Sequence, residues 1–171
     1  MQHLMEAVRK GVRESNWYAS LGLALALPDI CGFLESPSTG SQRRYVAWCS
    51  RYLEPKYTHG IGPDRRKHVF LSAEDCYALR CAFLHEGADE ITRQRARKAL
   101  DSFLFIAPPP GGGSIHCNQV NSKLQLQVDL FCEDICKSVE EWNAAVAGDG
   151  DINKRMDELL MIRDSRMGLR F

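Results

Sequence analysis

Apolar positions recur at helical spacing along most of this chain. Trp17 to Glu35 is so apolar, with Leu21, Leu25 and Ile30 on one side and Leu23 and Leu27 on others, that it predicts a helix central to the core. Pro28 is expected to kink or divide that helix. Asp29 beside it is expected to cap the resumed helix, its other possible role being to orient Arg80. Met1 to about Ser15 has moderate helical character. Arg43 to Leu53 reads as a helix with Tyr45, Trp48, Cys49 and Leu53 inward and Arg43, Arg44 and Arg51 outward. Phe131, Ile135, Val139, Trp142 and Val146 define an amphipathic helix over Asp129 to Val146. A final helix over about 151–165, with Ile152, Met156, Leu159 and Leu160 on one face, is expected to pack on the chain's own core. The Ala147-Gly-Asp-Gly150 joint before it leaves exchange between protomers or a partner-facing role open.

The best-delimited helix runs from Ser72 to Gly87. Ser72 suits the N-cap, with Asp75 three residues on in place of the capping-box acid, and Glu74 and Asp75 favour the positive end of the helix dipole. Gly87 suits a left-handed C-terminal residue. Cys76, Leu79 and Phe83 should face the core. Strand patterns are few: Ser102 to Ile106 reads as a buried strand, and Leu124 to Val128 alternates and is expected to pair with an earlier segment. The prediction is a mostly α fold with a small added β-hairpin. Pro55 to Lys67 reads as irregular, Arg93 to Lys98 as a basic helical stretch, and Pro108 to Gly113 as a flexible turn without the GK[ST] ending of a P-loop.

Composition narrows the function. The 171 residues suit one domain, and 44% hydrophobic with 26% charged residues is ordinary for a globular protein. Lysine plus arginine equals aspartate plus glutamate, so any nucleic-acid binding must come from a local patch. The longest apolar run before Pro28 is about half the ~20 residues a membrane span requires. Seven cysteines, an odd number with mostly apolar neighbours and no signal peptide, are expected to be reduced core thiols of a cytoplasmic protein. A zinc set of His116, Cys117, Cys132 and Cys136 is the weaker reading, because no C-x-x-C pair is present. No metal and no cofactor are expected.

The chemistry concentrates in the Ser72–Gly87 helix. Arg80 can hold a phosphate at any ordinary pH, and His85 can exchange a proton near neutrality. Five residues apart, they lie roughly 140° apart around a helix and are expected to flank a surface without touching, so a second copy of the helix would complete a compact site. The basic run Arg65-Arg66-Lys67-His68 just before this helix is a candidate guide for a phosphate chain, or else a solvated loop.

The Arg80-x4-His85 spacing in this helical context resembles the R-x4-6-H motif of HEPN domains, small all-α domains that include ribonuclease toxins and phage-defence proteins. The resemblance implies a HEPN-like helical bundle and a homodimer with Arg80 and His85 lining a two-fold cleft. It also implies metal-independent cleavage of RNA, with His85 as general base and Arg80 holding the scissile phosphate, and an antitoxin or regulatory protein as a possible further partner. The residue after the arginine is commonly polar in that family; here it is Cys81. Some members are inactive scaffolds, so the alternative implied is a non-catalytic dimeric domain that binds a partner protein or a nucleotide.

Overall fold

The computed structural model describes residues 1–162, and its architecture is organised around one helix. That helix, α2 (Trp17–Glu35), touches every other helix of the fold: α1 (Gln2–Arg13), α3 (Ser41–Tyr52), α4 (Ala73–Glu86), α5 (Val128–Ala145) and α6 (Gly150–Asp157). Its apolar residues point in several directions because it has neighbours in several directions, and Leu21, Leu25, Leu27, Cys31 and Leu34 are all buried. By length and mean hydropathy (19 residues, 1.4) it is also long and apolar enough to cross a membrane, yet half of that window is buried inside the protein.

The helix does not divide at Pro28. It continues unbroken to Glu35, with Pro28 itself buried. A proline inside a helix costs about 3 kcal/mol through its missing N–H and its clash with the preceding turn. Burial against five helices offsets that cost, and Tyr45 Oη donates 3.2 Å to the Leu25 carbonyl in the turn before the proline. With no new helix start at residue 29, Asp29 has nothing to cap, and its carboxylate is free for other partners. Gly32 lets α3 approach, since a Cβ there would stand 2.9 Å from the Arg44 carbonyl oxygen.

The remaining helices follow the periodicity. Tyr45, Trp48, Cys49 and Leu53 are buried, as are Phe131, Ile135, Val139 and Trp142, whose indole Nε1 donates 3.0 Å to Glu35 Oε1. Arg9 clips α1 to α5 through paired bonds to Glu133 at 2.9 and 2.8 Å and a third to Glu140 at 2.7 Å. In α4, Ser72 Oγ accepts from Asp75 N–H and Gly87 takes the left-handed conformation at φ +66.

The strand content is larger than a single hairpin. The segment expected to be irregular before α4 holds β1 (Thr58–Ile61) and β2 (Arg66–Val69), paired antiparallel from Thr58↔Val69 to Ile61↔Arg66. Its side chains are mostly exposed on both faces, so no alternation marks it. The second sheet has the order β3-β5-β4, with β3 (Ser102–Ile106) parallel to β5 (Lys123–Gln127) and β4 (Asn118–Val120) antiparallel to β5. Phe105 of β3 packs edge-on against Phe131 of α5, seating this sheet on the helical core.

Two further expectations are corrected. Arg93 to Lys98 is not helical but a series of turns, held by Asp75. The last helix ends at Asp157, residues 158–162 are not helical, and the rest of the expected 151–165 helix lies outside the described residues. Its Ile152 is buried, and Arg155 Nε donates 2.7 Å to the Leu34 carbonyl, so α6 docks on the end of α2.

Candidate active site on α2, α3 and α4

α2 and α4 pack so that Asp29 of one faces Arg80 of the other. The short Ser36–Gly40 connection turns α3 back along α2, which brings Ser41 and Arg44 to the same carboxylate. Asp29 Oδ1 accepts from Arg44 Nε at 2.9 Å, and Asp29 Oδ2 from an Arg80 terminal nitrogen at 3.4 Å. Ser41 Oγ donates to both oxygens, at 3.1 and 3.3 Å. Arg44 is thereby drawn inward from the outward position its helical phase predicts, and its guanidinium also covers the ring of Phe33 at 5.2 Å. One carboxylate shared by two guanidinium groups leaves an excess positive charge, and all three side chains keep 18% of their surface open to solvent. Such a site attracts an anion.

Arg80 and His85 touch. The other Arg80 terminal nitrogen lies 3.3 Å from His85 Nε2 and 3.9 Å from Cys81 Sγ. Helical phase alone separates the two residues, but the long arginine stem crosses the exposed face of α4 to reach the imidazole. A guanidinium only donates, so a hydrogen bond at this contact requires Nε2 as its acceptor. Arg80 Nε is buried and has no hydrogen-bond partner among the described residues. Tyr77 lies below this face, its ring edge-on to Tyr45 at 5.4 Å. Burial, and then the nearby Cys81 thiol one turn on, push the Tyr77 hydroxyl above its ordinary range.

Arg80, Cys81 and His85 therefore meet on one open face, with Leu84 and Phe33 exposed beside them at 40% and 44%. The other candidates lie apart from it. Arg65 in the β1–β2 turn and Arg66 and Lys67 at the start of β2 are exposed; Arg66 pairs with Asp64 at 3.7 Å, and His68 of β2 bonds Gln119 of β4 at 2.9 Å. The four residues of the zinc reading do not gather. Cys132 and Cys136 are buried one turn apart in α5, where burial pushes each thiol up to about 12. His116 instead meets Tyr57 Oη at 3.3 Å and Asp134 Oδ2 at 3.5 Å. Among the described residues, no group of three or more His, Cys, Asp or Glu is placed to hold a metal ion.

Sequence reasoning missed Ser41 and Arg44 as members of this site. Their signal was the tight helix–loop–helix connection: a short link forces an antiparallel pair, and the first turn of the second helix then lies beside the last turns of the first. No protein-family model, curated protein or solved structure matches the chain.

Proposed function

We propose that this chain is a metal-independent endoribonuclease of HEPN type, acting as a homodimer through Arg80 and His85. The observation that carries the reading is the 3.3 Å contact between the Arg80 guanidinium and His85 Nε2, on an open face where Asp29 holds the arginine's other arm. A phosphate entering this face displaces the imidazole from the guanidinium and takes its place. His85 Nε2, freed as a base, accepts the proton of the ribose 2′-hydroxyl, and that oxygen attacks the adjacent phosphorus. Arg80 carries the charge that develops on the non-bridging oxygens. The bond to the 5′-oxygen breaks, the protonated imidazole of the second copy returns a proton to it, and the products are a 2′,3′-cyclic phosphate and a 5′-hydroxyl. DNA, without a 2′-hydroxyl, resists. The exposed Phe33 and Leu84 beside the site support a second copy as its cover.

One observation favours a second reading. Asp29 already occupies one arm of Arg80, and Cys81, not a polar side chain, stands beside the other. A non-catalytic dimer that binds a partner protein or a nucleotide through this face fits that arrangement too.

Incubation with single-stranded RNA in EDTA separates the two. Under the ribonuclease reading the intact protein cleaves, while Arg80→Ala and His85→Ala keep their circular dichroism and lose cleavage. Cys81→Asn matches or exceeds the intact protein. RNA left whole by the intact protein and by Cys81→Asn hands the site to the partner-binding reading.

A further inference from the structure

The groups of the candidate site stand in a line. Phe33 is one helical turn beyond Asp29 on α2, so its ring lies beside that carboxylate. Arg44 joins the two, with Nε on Asp29 Oδ1 at 2.9 Å and the guanidinium carbon over the Phe33 ring at 5.2 Å. From the other oxygen of Asp29, at 3.4 Å, Arg80 reaches on to His85 Nε2 at 3.3 Å. The order is therefore ring, guanidinium, carboxylate, guanidinium, imidazole.

Phe33 and Leu84 are both exposed, but they do not form one apolar patch. A Cβ on Gly22 would stand 3.9 Å from Leu84 Cδ2, and Gly22 precedes Phe33 by eleven residues, or about 16 Å along a helix axis. Cover by a second copy accounts for Leu84. Phe33 has a cation fixed on it instead. Arg44 is held by the carboxylate, by the ring and by the Thr39 carbonyl, to which Nη1 donates at 3.2 Å, and its remaining terminal nitrogen has no partner among the described residues. A guanidinium lying over a ring keeps its N–H groups in its own plane, free to reach a phosphate past the ring. The acids nearby do not cancel the charge. Glu35 turns to α5, where it accepts Trp142 Nε1 at 3.0 Å, α3 carries no acid, and Glu74 stands six residues, or about 9 Å along α4, before Arg80.

We infer that Phe33 is a nucleobase subsite. It stacks the base of the nucleotide that follows the scissile phosphate, whose 5′-phosphate lies between Arg44 and Arg80. This rests on the ribonuclease reading for the reaction. There the attacking 2′-hydroxyl belongs to the nucleotide before the phosphate and meets His85. The line of groups puts Phe33 on the opposite side of that phosphate, so the ring meets the next base. With Arg44 over one face, the 44% of Phe33 that stays open belongs to the rest of the ring. Every base has a π-face, so the subsite accepts any of them.

The test uses the full chain carrying His85→Ala, so that bound RNA survives, and a short fluorescent single-stranded RNA read by anisotropy. Phe33→Leu keeps an apolar side chain and loses the aromatic face. It should weaken binding at least about fivefold, the lower end of what one base–aromatic stack contributes, with no change of mass in light scattering. Phe33→Trp should bind at least as tightly, and RNA should quench the new indole beyond any effect on the three native ones. A competition arm needs no substitution at Phe33 and so does not depend on a variant's folding. Uridine 5′-monophosphate should displace the RNA at least about fivefold better than ribose 5-phosphate, which carries the same phosphate and no base. Equal affinity in Phe33→Leu, or equal competition by the two phosphates, overturns the subsite. A loss of binding that comes with dissociation of a dimer overturns it as well, and makes the ring a contact between copies. Failure of the ribonuclease reading looks different: the chain with His85 intact then shows the same Phe33-dependent binding and leaves the RNA whole.

Discussion

Replacing Asp75 by alanine removes an acceptor at the centre of a buried polar knot. The residue is 1% exposed, and its carboxylate receives the Ser72 hydroxyl at 2.7 Å besides the amides of Lys98, Ala99 and Leu100. A hydrogen bond to a charged group contributes about 1.5–3 kcal/mol, and an orphaned buried donor costs about 1–3 kcal/mol. The short Lys98 bond is the strongest of the set; the two longer ones count for less. Lys98 and Ala99 are exposed residues, so water recovers part of the loss, and release of a buried charge recovers more. The net expectation for Asp75→Ala is a loss of about 3 kcal/mol, or roughly 6–12 °C in Tm for a chain of this size. Asp75→Asn keeps the volume and one acceptor oxygen and should cost about half as much. Urea unfolding followed by far-UV circular dichroism measures both, and hydrogen exchange of the three loop amides should accelerate in step. A loss under about 1 kcal/mol for the alanine variant would refute the view that this carboxylate pins the loop to α4.

Asp29→Ala should free both arginines and lower RNA cleavage about tenfold or more through kcat, with little change in KM; an unchanged kcat removes Asp29 from the positioning of Arg80. Leu84→Glu, at an exposed site beside the cleft, should convert a dimer seen by light scattering into a folded monomer without cleavage activity. A dimer that survives this change does not use this face. The buried thiols of Cys132 and Cys136, held up to about 12, make the folded chain bind more protons than the unfolded one at alkaline pH. Their contribution is whole below the unfolded thiol range and is lost as pH rises through the folded values, so the urea midpoint should fall from pH 8 to pH 10, and fall less in Cys132→Ala/Cys136→Ala.

What the sequence disclosed and what it hid follow a physical line. The faces of α3 and α5 were legible because each has one buried side, and periodicity reports that directly. The ends of α4 were legible because Ser72 and Gly87 satisfy local needs of the backbone. Pro28 misled because its local cost is real and only the packing of five other helices outweighs it. The Arg93–Lys98 segment misled because good helix formers there lose to the side-chain carboxylate by which Asp75 accepts the following backbone amides, a contact between residues 23 to 25 positions apart. The β1–β2 hairpin was hidden by exposure on both faces. At the candidate site, Arg80 and His85 could be named from spacing. Their contact depends on the reach of one flexible side chain, and the roles of Ser41 and Arg44 depend on how two helices pack, which no local pattern encodes.

The distribution of the seven free thiols gives this protein a chemical reporter. Cys31, Cys49, Cys76, Cys132 and Cys136 are buried, and Cys81 and Cys117 are partly open. Burial holds the Cys117 thiol up to about 11, so at neutral pH it presents little thiolate to an alkylating reagent. With Cys117 changed to serine, Cys81 is the one partly open thiol left among the described residues, and its sulfur stands 3.9 Å from the Arg80 guanidinium. A maleimide dye placed there puts a fluorophore on the candidate site without an engineered cysteine. The rate at which the thiol reacts then reads directly whether RNA, a partner protein or a second copy of the chain covers that face.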